Sequence, residues 1–116
     1  MRVYVAGPYT RGDVVLNVRN AIRAGEQLVA AGHLPFVPHL LHLWYLASPH
    51  EYDYWRRLDY GWLEACEALV RLPGESLGAD AEVARAQVLG LPVYSLDAFL
   101  LLVAPCARGA ARRRRA

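Results

Sequence analysis

Short apolar runs and segments of helical period alternate along this chain, and that alternation leaves few folds open. Residues 2–7, RVYVAG, alternate and are rich in β-branched and aromatic side chains, which predicts a first strand. From 13 to 31, Val15, Val18, Ile22, Gly25 and Val29 recur at helical spacing, and Gly32 supplies a stop. Residues 33–38, HLPFVP, read as a short second strand. SPHE at 48–51 reads as the next helix start, with Ser48 as N-cap, Pro49 in the first turn and Glu51 closing a capping box. A third strand is expected at 67–72 (EALVRL), a third helix at 79–89 before Gly90, a fourth strand at 92–96 (PVYSL), and a closing helix to about 103.

Strands that alternate with helices predict an α/β fold, an open parallel sheet with helices on both faces. Ligands of such sheets bind beyond the carboxyl ends of the strands, near the switch in strand order. Three loops are therefore informative: GPYTRG after strand one, PHLLHLW after strand two and PGESLGAD after strand three.

With 116 residues there is room for one compact domain, and a 55% hydrophobic content fits a folded chain. Residues 99–105 form the longest apolar stretch, far short of the ~20 needed to span a bilayer. RVYVAG follows Met1 with no signal-peptide core, and Cys66 and Cys106 lack metal-like spacing; a cytoplasmic location with reduced thiols is expected. The net charge of +2 conceals an asymmetry. All 13 basic residues are arginines, five of them in the last nine positions, so residues 1–105 carry eight against 11 acids. A mildly acidic body, residues 1–105, followed by an arginine-rich, disordered tail at 106–116 is the expected organisation. An acidic body is not a nucleic-acid reading surface.

Several side chains in or beside the three loops suit chemistry. Glu82 is expected in the first turn of the third helix, where the helix dipole favours an anion; an ordinary N-terminal carboxylate would sit there too. The preceding GESLG offers glycines for close backbone approach and a serine as donor. Asp59 lies one turn from Trp55 and from Trp62, so a partly desolvated acid with a raised pKa is expected, whether it gives a proton or bonds a backbone group. Tyr4, two residues before the end of strand one, either reaches the mouth of the site or packs under a helix. Tyr9 and Arg11 belong to the first loop, and Gly7 is a place where a ligand could meet backbone. His39 and His42 stand at i, i+3, a spacing open to a metal or a polar lining, but no HExxH context or cysteine partner accompanies them; no metal or cofactor is expected.

The segments VYVAGPYT (3–10), AAGHLPFVP (30–38) and LDYGWLEACEALVRLPGESLGADAEVARAQVLGLPVY (58–94), in that order, resemble the nucleoside 2-deoxyribosyltransferase superfamily. That superfamily includes the deoxynucleoside 5′-monophosphate N-glycosidases, and the chain looks closer to its small bacterial and phage members. The resemblance implies a flavodoxin-like three-layer sandwich with a parallel sheet of four to five strands. It also implies a homodimer or larger homo-oligomer, and cleavage or transfer at the N-glycosidic bond of a (deoxy)nucleoside or its 5′-monophosphate.

By the same resemblance Ser76, Gly78 and Glu82 match a loop in which a small polar or acidic residue precedes the nucleophilic glutamate by six positions. Asp59 matches an upstream acid that positions substrate or protonates the leaving base, Tyr4 a tyrosine that orients the nucleophile, and Gly7 a residue of the sugar pocket. Ser76 is the residue type of the monophosphate hydrolases, where transferases tend to have an acid; Arg11 would add a cation, or is simply solvated. Pro8 departs from the pattern, standing where nucleotide hydrolases carry a serine and offering neither hydroxyl nor N–H. The alternative from another class is a non-catalytic module holding a nucleotide or related metabolite in the same pocket.

Overall fold

Strand β1 (Arg2–Ala6) sends Val3 and Val5 into one core and Tyr4 and Ala6 into another, on the opposite side of the sheet. The structure is a computed structural model that describes residues 1–103; the arginine-rich tail expected at 106–116 lies outside the described residues. Strands β2 (Leu34–Phe36), β3 (Ala68–Arg71) and β4 (Val93–Tyr94) complete a four-stranded sheet in the order β2-β1-β3-β4. Every pairing is parallel, with Tyr4 beside Phe36 on one side and Leu69 on the other. This is the α/β, flavodoxin-like order, and the chain leaves β1 in one direction to reach β2 and lies in the other at β3. The crevice of that switch opens above the carboxyl ends of β1 and β3.

Helix α1 (Val14–Ala30) covers the Val3 and Val5 face together with α5 (Leu96–Leu102), through Ala21, Ala24, Leu28 and Phe99. Asp13 starts α1 by accepting the Leu16 N–H. The buried stripe is not the one expected. Of the expected positions Gly25 is buried and Val18 half-buried, but Val15, Ile22 and Val29 are exposed, and Ala21, Ala24 and Leu28 face the sheet with Gly25. The cause is close approach: a Cβ on Gly25 would come within 3.1 Å of Val37, so the helix presents its small side chains inward.

The opposite face is covered by α3 (Tyr52–Glu64) and α4 (Leu77–Val88), through Leu63, Ala79 and Ala86. An ion pair between Arg85 and Glu64 at 3.0 Å fastens these two helices. Between β2 and α3 the chain forms a 3₁₀ turn over Pro38–Leu41 and then α2 (His42–Ala47), where a loop was expected. Ser48 ends α2 rather than capping α3; its N–H bonds to the Trp44 carbonyl and Pro49 holds it extended. Glu51 takes the N-cap position of α3 with no side-chain bond, so the capping box does not form.

Helix α4 also begins earlier than expected. Ser76 is its N-cap, accepting the Ala79 N–H at 3.0 Å, and Glu82 consequently sits in the second turn. The free amides of the first turn are not what Glu82 meets. Ahead of α4, the turn after β3 packs on the loop after β1: a Cβ built on Gly74, at φ +112°, would lie 2.8 Å from Pro8 Cγ. Gly74→Ala should therefore cost about 1–3 kcal/mol, read as a lower midpoint in chemical denaturation; an unchanged midpoint would show that the two loops are not in register.

Candidate active site

A cavity of about 880 Å³ opens at the carboxyl ends of β1 and β3, where the strand order predicts it. The loop after β1 contributes Gly7, Tyr9 and Arg11; the start of α4 contributes Ser76, Gly78 and Glu82; α3 contributes Trp55, Arg56, Asp59 and Tyr60. His39, His42 and Tyr45 close the side toward β2. Four separate stretches of sequence thus converge on one space, and every expected site residue except Tyr4 lines it.

Tyr4 reaches the site from the sheet. Its ring is fully buried, with Phe36 at 5.6 Å, and its hydroxyl donates to Glu82 Oε2. The ring packs under a helix, the second of the two expected placements, while the hydroxyl touches the glutamate. The phenol is held in its protonated form by burial first and by the Glu82 charge second, so its O–H is available to donate to the carboxylate.

Burial raises the Glu82 carboxyl to about 7; the Tyr4 hydrogen bond pulls it down, the Asp59 charge pushes it up, and the Arg71 charge pulls it down again. Asp59 also rises to about 7, from burial, and its Oδ1 is buried with no hydrogen-bond partner. The two indoles expected around Asp59 part company. Trp55 lines the cavity with it, whereas Trp62 stacks on Phe36 at 5.1 Å and stays half exposed. What results is a pair of acids on facing helices, coupled through their charges and titrating near neutrality.

The remaining expected residues have structural duties of their own. Gly7 must lack a Cβ because one would stand 3.0 Å from that of Leu72. Ser76 spends a lone pair on capping α4, and its O–H remains a donor. A Cβ on Gly78 would meet nothing nearer than Ser76 Oγ at 4.0 Å, which leaves room above the helix start. Arg11 pairs with Glu75 at 2.7 Å, joining the loops after β1 and β3 on an exposed surface. Asp80, set aside in the sequence as a capping or solvent carboxylate, pairs with Arg71 at 3.0 Å.

His39 and His42 face different partners. His39 is buried and bonds through Nε2 to the Pro8 carbonyl at 2.9 Å, and burial lowers its pKa. His42 Nδ1 meets the Tyr9 hydroxyl. Among the described residues no group of three His, Cys, Asp or Glu side chains gathers around a common point. Residues unforeseen in the sequence are Tyr45, His50, Tyr52, Arg56 and Tyr60. Four positions of α3 in this lining, Tyr52, Arg56, Asp59 and Tyr60, are spaced i, i+4, i+7, i+8, a signal that could have found them.

Residues 1–96 match the family described as a domain of unknown function, DUF7768. The chain belongs to that family. The structure of a 2-deoxyribosyltransferase from the psychrotolerant bacterium Bacillus psychrosaccharolyticus is similar to this DUF7768 member over 80% of its chain and 69% of the transferase's. The TM-score is 0.61 and the identity 17%, a likeness of fold. No curated protein matches. Among the described residues, no helix of this DUF7768 domain is long and apolar enough to cross a membrane.

The buried acids tie stability to pH. In the unfolded chain both ionise near the ordinary value of about 4; in the folded chain each holds its proton to about 7. Between those values the unfolded state binds fewer protons, so stability falls as pH rises and is fully present only below about 4. Glu82→Gln removes one of these groups and should melt above wild type at pH 8, by the equivalent of about 3 kcal/mol, with the gain gone at pH 4. A variant that melts lower than wild type at pH 8 would contradict the burial of an ionised Glu82.

Proposed function

We propose that this protein cleaves or transfers at the N-glycosidic bond of a nucleoside-like substrate, with Glu82 as nucleophile. The observation that carries the reading is the Tyr4–Glu82 hydrogen bond at the floor of a cavity shared with Asp59. The fold of the B. psychrosaccharolyticus 2-deoxyribosyltransferase, described as a biocatalyst for nucleoside synthesis, and the resemblance of residues 58–94 to its superfamily support it.

In this mechanism the Tyr4 hydroxyl holds Oε2, leaving Oε1 to attack the anomeric carbon. The bond from that carbon to the base nitrogen breaks, the base leaves with the Asp59 proton, and a glycosyl ester forms on Glu82. Water or a second base then attacks the same carbon, giving its proton to the Asp59 carboxylate, and the ester oxygen returns to Glu82. A pair of coupled acids that both titrate near 7 spends neutral pH largely with one proton between them, the state this reaction starts from.

Gly7, Gly78, Ser76 and Tyr9 would line the sugar side. Both arginines of the cavity wall already have acidic partners, Arg11 with Glu75 and Arg56 with Asp53, which supports reading the substrate as an uncharged nucleoside before its 5′-monophosphate. A homodimer or larger assembly belongs to the reading; α1 and α2 leave Val15, Leu43 and Leu46 mostly exposed.

Incubation with a panel of nucleosides and their 5′-monophosphates, with and without an acceptor base, should release base from wild type. Glu82→Gln should lower the rate at least about a thousandfold; equal rates would end the mechanism, and tight binding of the panel without turnover would favour the binding module. Plotted against pH, kcat/KM should form a narrow bell centred near 7, rising as Glu82 ionises and falling as Asp59 loses its proton. Asp59→Asn should remove the alkaline limb, and a profile that keeps it would assign the acid elsewhere.

A further inference from the structure

Tyr9, in the loop after β1, is held by its backbone and by its side chain. Asn17, near the start of α1, donates its side-chain amide to the Tyr9 carbonyl at 2.9 Å and to the Arg11 carbonyl at 2.8 Å. The Tyr9 ring stands edge-on to His39 at 6.1 Å and to His42 at 5.5 Å, and its hydroxyl meets His42 Nδ1. His39 is itself tied to the Pro8 carbonyl through Nε2. Tyr9 and both histidines line the cavity, and the reaction above, which uses Tyr4, Asp59 and Glu82, leaves them without a task.

The contact between Tyr9 and His42 decides where the His42 ring carries its hydrogen. Burial, and then the neighbouring Tyr45, raise the Tyr9 phenol, so it keeps its proton. Among the described residues His42 Nδ1 is the partner of that hydroxyl; donation to it uses the phenol proton, whereas the reverse polarity would leave the proton to solvent alone. An imidazole that accepts at Nδ1 carries its hydrogen on Nε2. His42 Nε2 makes no bond among the described residues, and His42 belongs to the cavity wall. Protonating the ring keeps an N–H on Nε2, so a donor stands there in either charge state.

We propose that His42, oriented by Tyr9, is a specificity-determining residue that selects nucleosides whose base presents a carbonyl over those that present an amino group. The proposal rests on the glycosidic reading for the nature of the ligand. A carbonyl oxygen accepts the Nε2–H, while an amino group in the same place sets donor against donor and leaves both without a partner. Tyr9 acts here through His42, as a positioning residue. Without its hydroxyl the neutral ring is free to carry its hydrogen on Nδ1, and the bare Nε2 then accepts from an amino group.

Two measurements test this. In the full chain labelled with ¹⁵N at histidine, the His42 resonances are assigned by their loss in His42→Gln, and the ring-nitrogen shifts report the tautomer with no ligand present. The neutral ring should carry its hydrogen on Nε2 in wild type and become a mixture in Tyr9→Phe. A wild-type ring with its hydrogen on Nδ1 overturns the proposal. Calorimetry on Glu82→Gln, used so that nucleosides stay intact, then compares deoxyinosine with deoxyadenosine and deoxyuridine with deoxycytidine. The carbonyl member should bind tighter by about tenfold to a hundredfold in at least one pair and more weakly in neither, and adding Tyr9→Phe should bring the ratio to within about threefold. Equal affinities in both pairs, a preference for the amino member, or binding of none of the four overturns it. So does a ratio that survives Tyr9→Phe, because a merely structural role for Tyr9 weakens every nucleoside alike.

Should Tyr9→Phe fail to fold, His42→Gln replaces it; a glutamine amide presents either its oxygen or its NH₂, and a ratio kept there overturns the proposal equally. A carbonyl preference in a protein that releases no base leaves the recognition standing and removes the glycosidic function. Base release without the preference does the reverse.

Discussion

A phenol buried in the middle of a parallel sheet has to find a partner for its hydroxyl, and Tyr4 finds it in the Glu82 carboxyl. Much of the architecture follows from meeting that need. Glu82 belongs to α4, so α4 must lie over β1 and β3 at close range, which Ala79 and Ala86 permit by offering small side chains at the contact. The helix must also begin at a fixed point, set by the Ser76 cap and by the turn at Gly74 packed on Pro8. A shift of α4 by one residue would swing Glu82 away by roughly 100° about the helix axis and leave a buried hydroxyl unpaired.

Desolvation then sets the electrostatics. Two carboxyls, on α3 and α4, lie in a cavity where burial raises both, and the Asp59 charge raises Glu82 further. Folding with both groups ionised is costly, so the same arrangement that readies a proton and a carboxylate for chemistry also weakens the fold above neutrality. Asp59 takes the larger share of this exposure to pH, since its Oδ1 has no partner at all while Glu82 has Tyr4 and the Arg71 charge in its favour. That asymmetry fits a division of labour in which Asp59 carries the proton and Glu82 the negative charge.

The alternation of strand and helix periods was enough to read the layers and the parallel sheet, because the two central strands, β1 and β3, are buried apolar runs and α1 and α4 end at Gly32 and Gly90. Convergence of Glu82, Asp59, Gly7, Tyr9, Ser76 and Gly78 on one cavity followed from the same topology. Local competition hid the rest. In α1 two apolar stripes compete, and only the tertiary fit at Gly25 and Val37 selects the alanine-rich one. In SPHE the serine had two possible duties, ending one helix or opening the next, and the preceding HLWYLA run, too short to show a period, decided for the first. Arg71 and Asp80 are nine residues apart and give no sequence signal of their bond, which depends on how β3 turns into α4.

The cavity has two kinds of wall. The proposed reaction centre comes from β1, α3 and the start of α4, elements anchored by the sheet and by the Arg85–Glu64 and Arg71–Asp80 pairs. The wall opposite comes from α2, six residues long with none buried, and from the turn that joins it to α3. There Trp44, Tyr45, His50, Tyr54 and Trp55 pack on one another more than on the core, with the His50 and Tyr54 rings stacked at 3.7 Å. A short helix held by ring contacts can change its lining side chains, such as Tyr45 and His50, without disturbing Tyr4 or Glu82. Under the proposed function, a reaction centre on β1, α3 and α4 beside an aromatic wall is an arrangement in which the choice of base can vary while the reaction stays the same.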